Sequence, residues 1–219
     1  MIVLHGSNGS PFVARIRMQC YAKDLPFEGR PAALGTPEFL RLNPIGKMPV
    51  LEHGGFVLPE SQVIAEYLED AFPEPSLRGD GARERAQVRL IARTIDLYCG
   101  TLLTLLRSFA EPAFKIDAAA ERAALERGLN ALEAFLPDSG FAAGTSGLSL
   151  ADCTLVPWLY YARLMAGRDD DLLAGRPKLA RYAEAIGDHP VAARVTAEMD
   201  ESFRAFMARW QAQQAAKGA

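Results

Sequence analysis

The sequence predicts an α/β domain followed by an all-α domain, on three observations. Strand-like β-branched runs are confined to about the first eighty residues. Within them the signals run strand, helix, strand, hairpin, helix. Beyond Pro73-Glu74-Pro75 the chain turns to Ala, Arg, Glu and Leu in long helical patterns. The expected domains are residues 1–75 and 82–219, joined by a linker over 73–82.

Ile2 to His5 reads as a short strand and Gly6 to Gly9 as a small, polar loop. From Pro11 the spacing of Phe12, Ile16, Cys20 and Ala22 follows one helical face. Ser10-Pro11 suits a helix start, since a serine side chain accepts from a free amide and proline at the first helical position loses no hydrogen bond. An extended stretch around Phe27 to Leu34 and a polar segment follow. Met48 to Leu51 and Phe56 to Leu58 then form a hairpin about Gly54-Gly55. Glu60-Ser61 opens a helix carrying Val63, Ile64, Tyr67 and Leu68, closed before Pro73. Later helices are expected over 82–110 with a bend at Gly100, then 117–136, 149–166, 177–187 and 190–213. Pro112, Pro137-Asp138, Gly167 and His189-Pro190 separate them.

A net charge of −3 and the lack of a dense Lys/Arg cluster argue against nucleic acid and for a small-molecule partner. The apolar stretch near Leu102 to Leu106 is cut by Arg107 well before it could cross a bilayer. The opening Met1-Ile2-Val3-Leu4-His5-Gly6 reads as a strand and not as a signal peptide, so a cytoplasmic location is expected. Cys20, Cys99 and Cys153 are odd in number and widely spaced, without a neighbouring Cys or His at ligand spacing. They read as reduced, buried thiols, and no metal is called for.

Three segments carry chemistry. Ser10-Pro11-Phe12-Val13-Ala14-Arg15-Ile16-Arg17 resembles the SPFVxRVR segment of tau-class glutathione transferases and aligns on its Arg-x-Arg with the zeta-class segment. In both classes the matching serine activates glutathione. A hydroxyl at a helix start suits that role, because it donates to a thiolate at the positive helix end. Taken alone, Ser10 reads as an N-cap. Asn43-Pro44-Ile45-Gly46-Lys47-Met48-Pro49-Val50-Leu51 looks like the family's N-P-x-G-x-V-P-x-L segment. By that resemblance Pro49 is cis, Met48 offers its backbone to an extended tripeptide, and Lys47 meets a glutathione carboxylate. The plain alternative for Lys47 is a solvated surface lysine. Glu60-Ser61-Gln62-Val63-Ile64 matches the family's E-S-x-x-I segment, which implies an anion site at Ser61 for the γ-glutamyl carboxylate, with Glu60 facing the ammonium.

The resemblance spans nearly the whole chain and implies a thioredoxin-like first domain. It implies a glutathione transferase with Ser10 as the catalytic residue and glutathione as a substrate, not a cofactor. Lys47, Met48, Pro49, Glu60 and Ser61 bind it, and a small, largely apolar electrophile is held between the two domains. No tyrosine lies near position 7 and no cysteine stands at position 10. Serine favours conjugation, isomerisation or reductive group removal over mixed-disulfide chemistry. Ser7 is the rival activating hydroxyl, and Asn8 is a second donor to the sulfur. Phe12, Tyr98 and Arg107 are candidates for the electrophile pocket, with Phe109, Phe206 and Trp210 behind them, although aromatic residues at helical spacing equally serve a core. A binding or regulatory module without turnover is the other function class consistent with this fold.

Leu148-Ser149-Leu150-Ala151-Asp152-Cys153 reads as a capping box with a hydrophobic staple, a folding element. The resemblance also implies a two-fold homodimer in which the first domain of one copy packs on the 82–110 helix of the other. That helix carries apolar residues on more than one face, which a central helix of a monomeric bundle would also show. Arg85, Arg89 and Arg93 form a stripe that would face solvent or a partner's Glu66, Glu69 and Asp70.

Overall fold

The computed structural model describes residues 1–111, 113–166 and 171–217. The chain forms two compact units, one of Met1–Glu74 with the chain from Pro190 onward, the other of Pro75–His189. The breaks expected at Pro112 and Gly167 lie outside the described residues.

In the first unit, β1 (Ile2–His5) is buried along its length. Gly6 follows because α1 (Pro11–Ala22) comes so close that a Cβ there would stand 2.3 Å from Val13 Cγ2. β2 (Phe27–Arg30) pairs parallel with β1, while β3 (Val50–His53) and β4 (Phe56–Pro59) complete a sheet of order β2-β1-β3-β4 by antiparallel pairing. Gly54 and Gly55 close the β3–β4 hairpin at φ 58° and 85°, a left-handed pair that glycine enters without steric cost. α3 (Ser61–Ala71) packs on α1. The polar segment after β2 contains α2 (Pro37–Leu42), which is too short to show a helical period but carries a Thr36 cap and proline at its start.

Residues Val13 to Cys20 of α1 are all buried, polar ones included, so the single apolar face seen in the sequence is too narrow a reading. Phe12, counted on that face, is exposed. Gln19 and Lys23 both bond Glu69 on α3, at 3.0 and 3.1 Å. Glu69 is therefore a buried internal partner, and the expectation that it faces a dimer partner's arginines is overturned.

The second unit contains α4 (Gly81–Tyr98), α5 (Thr101–Ala110), α6 (Ala118–Phe135), α7 (Leu150–Ala166) and α8 (Pro177–Gly187). The expected 82–110 helix is two helices broken at Cys99-Gly100. The Cys99 carbonyl accepts from Trp158 Nε1 at 3.0 Å. α6 crosses the end of α4 at Gly128, where a Cβ would lie 2.2 Å from the Tyr98 carbonyl oxygen. Leu125, Leu129, Leu132, Ile91 and Leu155 fill the core.

α9 (Pro190–Lys217) packs on α1 and belongs by contact to the first unit, where composition alone assigns it to the helical domain. All three cysteines are free and buried. Burial pushes the Cys20 and Cys99 thiols up to about 12, far from the thiolate that nucleophilic chemistry needs.

Candidate functional site

Sheet register gathers the predicted segments at one end of the first unit. Val50 pairs with His5 on one side and Pro59 on the other, so one rung spans β1, β3 and β4. β1 and β4 each run antiparallel to β3 and hence parallel to each other. The chain therefore leaves β1 for Ser10 and β4 for Ser61 at the same edge, and enters β3 there through Met48-Pro49. A direct contact closes the geometry, since the Ser7 amide donates to Met48 Sδ at 3.3 Å.

Ser10 is the N-cap of α1, with extended backbone and Pro11 behind it. Its Oγ accepts from the Val13 amide at 3.4 Å, a long bond that uses a lone pair and leaves the hydroxyl proton for another acceptor. Ser7 Oγ accepts from the Gly9 amide at 3.4 Å and lies 3.4 Å from Ser202 Oγ of α9. Asn8 is exposed in the same loop.

Met48-Pro49 is a cis peptide. The preceding turn is held by buried Asn43, whose Nδ2 donates to the Lys47 carbonyl at 2.6 Å while its Oδ1 accepts from the Ile45 amide at 3.0 Å. The Lys47 side chain is exposed. Glu60, also exposed, has φ 72°, a region that costs a non-glycine residue about 1–3 kcal/mol and persists where the surroundings impose it. Ser61 beside it is buried, and the helix start carries no Glu60 side-chain cap bond.

Two residues of the quoted motifs prove structural to this edge although sequence reading assigned them no role. Buried Arg15 donates through Nη1 to Ser61 Oγ at 3.2 Å and Gln62 Oε1 at 3.3 Å, tying α1 to the start of α3. Asn43 is the other. The signal for Arg15 was an arginine in a helix with no acidic residue within a turn, which leaves a buried guanidinium to find a distant partner.

Among the electrophile candidates, Phe12 lies in the same unit as Ser10 and is exposed. Tyr98 is an exposed residue at the end of α4. Arg107 on α5 is engaged, binding Glu111 at 2.9 Å and lying 4.1 Å over the Phe114 ring. Phe109, Phe206 and Trp210 are exposed.

A four-stranded sheet of this order, with a cis-proline entering β3 and two helices starting beside it, is a thioredoxin-like domain, here in a chain with a helical second unit. Residues 4–76 match the family model for the glutathione S-transferase N-terminal domain, and residues 110–185 that for the C-terminal domain. The probable glutathione S-transferase GSTU1 of Oryza sativa subsp. indica is 39% identical over 197 residues, covering 81% of each chain. The maleylacetoacetate isomerase of Pseudomonas aeruginosa is 30% identical over 189 residues, covering 80% of this chain and 86% of its own. Among solved structures, glutathione transferase F7 of Populus trichocarpa superposes with TM-score 0.77 at 26% identity, over 91% of this chain and 99% of its own. A holo maleyl pyruvate isomerase, described as a bacterial zeta-class glutathione S-transferase, does so with TM-score 0.73 at 28% identity, over 88% and 95%. The chain belongs to the glutathione S-transferase family. It is an enzyme for which glutathione is a substrate and not a cofactor. No described helix is long and apolar enough to cross a membrane.

Proposed function

We propose that this transferase ionises glutathione with the Ser10 hydroxyl and delivers the thiolate to a small, largely apolar electrophile. The observation that carries the reading is the convergence of Ser10, Met48-Pro49 and Glu60-Ser61 beyond one rung of the sheet. Ser10 keeps its proton for the sulfur, and the first turn of α1 adds amide dipoles there. Met48 pairs with the peptide backbone, with Pro49 setting its presentation, and Lys47 meets a carboxylate. The Ser61 hydroxyl and amide receive the γ-glutamyl carboxylate, and Glu60, held out of ordinary backbone geometry, faces the ammonium. Phe12 is exposed in the first turn of α1 close to Ser10 and is the electrophile contact we retain. The likeness to two isomerases supports isomerisation beside conjugation as the reaction class. A reduced thiol substrate fits a reducing compartment such as the cytoplasm.

Ser61→Ala and Glu60→Gln are expected to raise the apparent glutathione constant several-fold while changing turnover at saturating glutathione by less than about twofold, because both hold the end of the tripeptide remote from the sulfur. Steady-state kinetics with glutathione varied checks this. A loss confined to turnover would contradict the assignment.

We further infer a two-fold homodimer in which the first unit of one copy covers α4 of the other. Phe56 and Val63 on the first unit and Leu90 and Leu97 on α4 are exposed large apolar side chains. Arg85, Arg89 and Arg93 are exposed on α4 too, so this helix is not wrapped on all sides by its own chain. Sedimentation equilibrium at micromolar concentration should give twice the chain mass, and a monomer mass that does not rise with concentration would overturn the dimer.

A further inference from the structure

Half-buried Met48 makes one contact that the pairing of its backbone with a peptide does not need. Its Sδ accepts from the Ser7 amide at 3.3 Å, across 41 residues of chain. A thioether sulfur is a weak acceptor, but a backbone amide is a donor that cannot rotate away, so the bond restrains main chain and not a rotamer. The family's N-P-x-G-x-V-P-x-L segment carries valine at this place, and valine has neither an acceptor nor the length to reach the loop. Methionine here adds a tie that the motif does not require.

The tie falls on the residue that places Ser10. The Ser7 carbonyl accepts from the Ser10 amide at 2.9 Å, so the two serines are the ends of one turn. Ser10 then starts α1, its carbonyl accepting from the Ala14 amide at 2.9 Å and its Oγ from the Val13 amide at 3.4 Å. Met48, Ser7 and Ser10 are therefore linked through peptide units of fixed geometry. Gly6, whose amide donates to the Arg30 carbonyl at 2.8 Å, anchors the loop to the sheet. Beyond that anchor Ser7 and Asn8 are exposed, and the bonds of the Ser7 hydroxyl to the Gly9 amide and to Ser202 are long, each 3.4 Å, and made by a group that rotates.

We infer that the Met48 side chain is a positioning residue for catalysis: by holding the Ser7 amide it sets the Ser7–Ser10 turn, and with it the aim of the Ser10 hydroxyl at the glutathione sulfur. The inference rests on Ser10 as the activating group. It joins the two halves of the site, because the residue whose backbone receives the peptide is also the one whose side chain steadies the hydroxyl.

The thiol pKa of bound glutathione, read by pH titration of the thiolate's ultraviolet absorbance in the binary complex, tests this in the full chain. Met48→Leu conserves volume and apolar character, a swap that folded proteins tolerate, and removes the acceptor. It should raise that pKa by about half a unit and lower turnover with a dinitrophenyl halide about threefold near neutral pH, while the apparent glutathione constant changes less than about twofold. A threefold loss is about 0.65 kcal/mol, the size of one weak hydrogen bond. Met48→Gln, which offers a side-chain carbonyl at similar reach, should restore most of the pKa. In a Ser10→Ala background Met48→Leu should add no further shift, since it acts through that hydroxyl. A pKa moved by Ser10→Ala but not by Met48→Leu, equal shifts in Met48→Leu and Met48→Gln, or additive shifts in the double variant would overturn the positioning role alone. A pKa that Ser10→Ala leaves unmoved would overturn the Ser10 reading and this inference with it.

Discussion

Ser10→Ala is expected to lower turnover with a general electrophile at least tenfold, and the thiolate absorbance of bound glutathione should fall in parallel. A tenfold loss is about 1.4 kcal/mol of transition-state stabilisation. Lowering a thiol pKa by two units takes about 2.7 kcal/mol, within reach of one hydroxyl bond to a charged acceptor together with the helix-end dipole. The alanine keeps the extended backbone and Pro11, so what it removes from the fold is the 3.4 Å bond from the Val13 amide. A bond that long belongs at the lower end of the roughly 0.5–2 kcal/mol seen for cap losses, and thermal unfolding should move little. Ser7→Ala is the discriminating partner. Ser7 Oγ serves the Gly9 amide and lies against Ser202, so its loss should loosen the loop without abolishing the thiolate. Thiolate absorbance that survives Ser10→Ala and disappears in Ser7→Ala would move the activating role to Ser7.

The largest stability effect is expected at Asp152. The sequence shows a capping box, and the Ser149 amide does donate to Asp152 Oδ2 at 2.8 Å. The structure adds three donors, Ser149 Oγ at 2.7 Å, the Ala142 amide at 2.9 Å and the Tyr182 hydroxyl at 2.9 Å. Beyond the box as predicted, the Ser149 hydroxyl itself donates to the carboxylate. Burial pushes the Asp152 carboxyl above its ordinary range, and the four donors pull it back. Asp152→Ala would strand all four in the interior, where each buried orphan costs about 1–3 kcal/mol before relaxation. A net loss of about 3–5 kcal/mol is expected, among the largest that single substitutions produce. Calorimetry should show the melting temperature falling by roughly 6–20 °C, at about 2–4 °C per kcal/mol for a chain of this size. Asp152→Asn, which retains an acceptor, should lose distinctly less. Equal losses for the two variants would mean that side-chain volume, and not donor satisfaction, is what Asp152 supplies.

The sequence by itself determined the order of the main elements and the helix starts and turns that frame the candidate site, because both are written in local signals. Ser10-Pro11 starts α1, Gly54-Gly55 turns the hairpin, and the proline cluster at 73–75 marks where strand-forming composition ends. Each acts through neighbours within a few residues, so each is legible without the fold. Six-residue α2 escaped because a helix of under two turns has no period to detect. What only the tertiary structure decided are pairings between distant residues. Arg15 finds Ser61, Gln19 finds Glu69, Arg17 finds Glu198, and Asp152 finds Tyr182. Partners such as these lie 30 to 181 residues apart in the chain. A buried charge or amide must be satisfied, but its own sequence neighbourhood does not say by which group. The same reason hid the allegiance of α9 to the first unit. A helix shows that it has a face to bury, and only the packed neighbours determine whether that face meets α1.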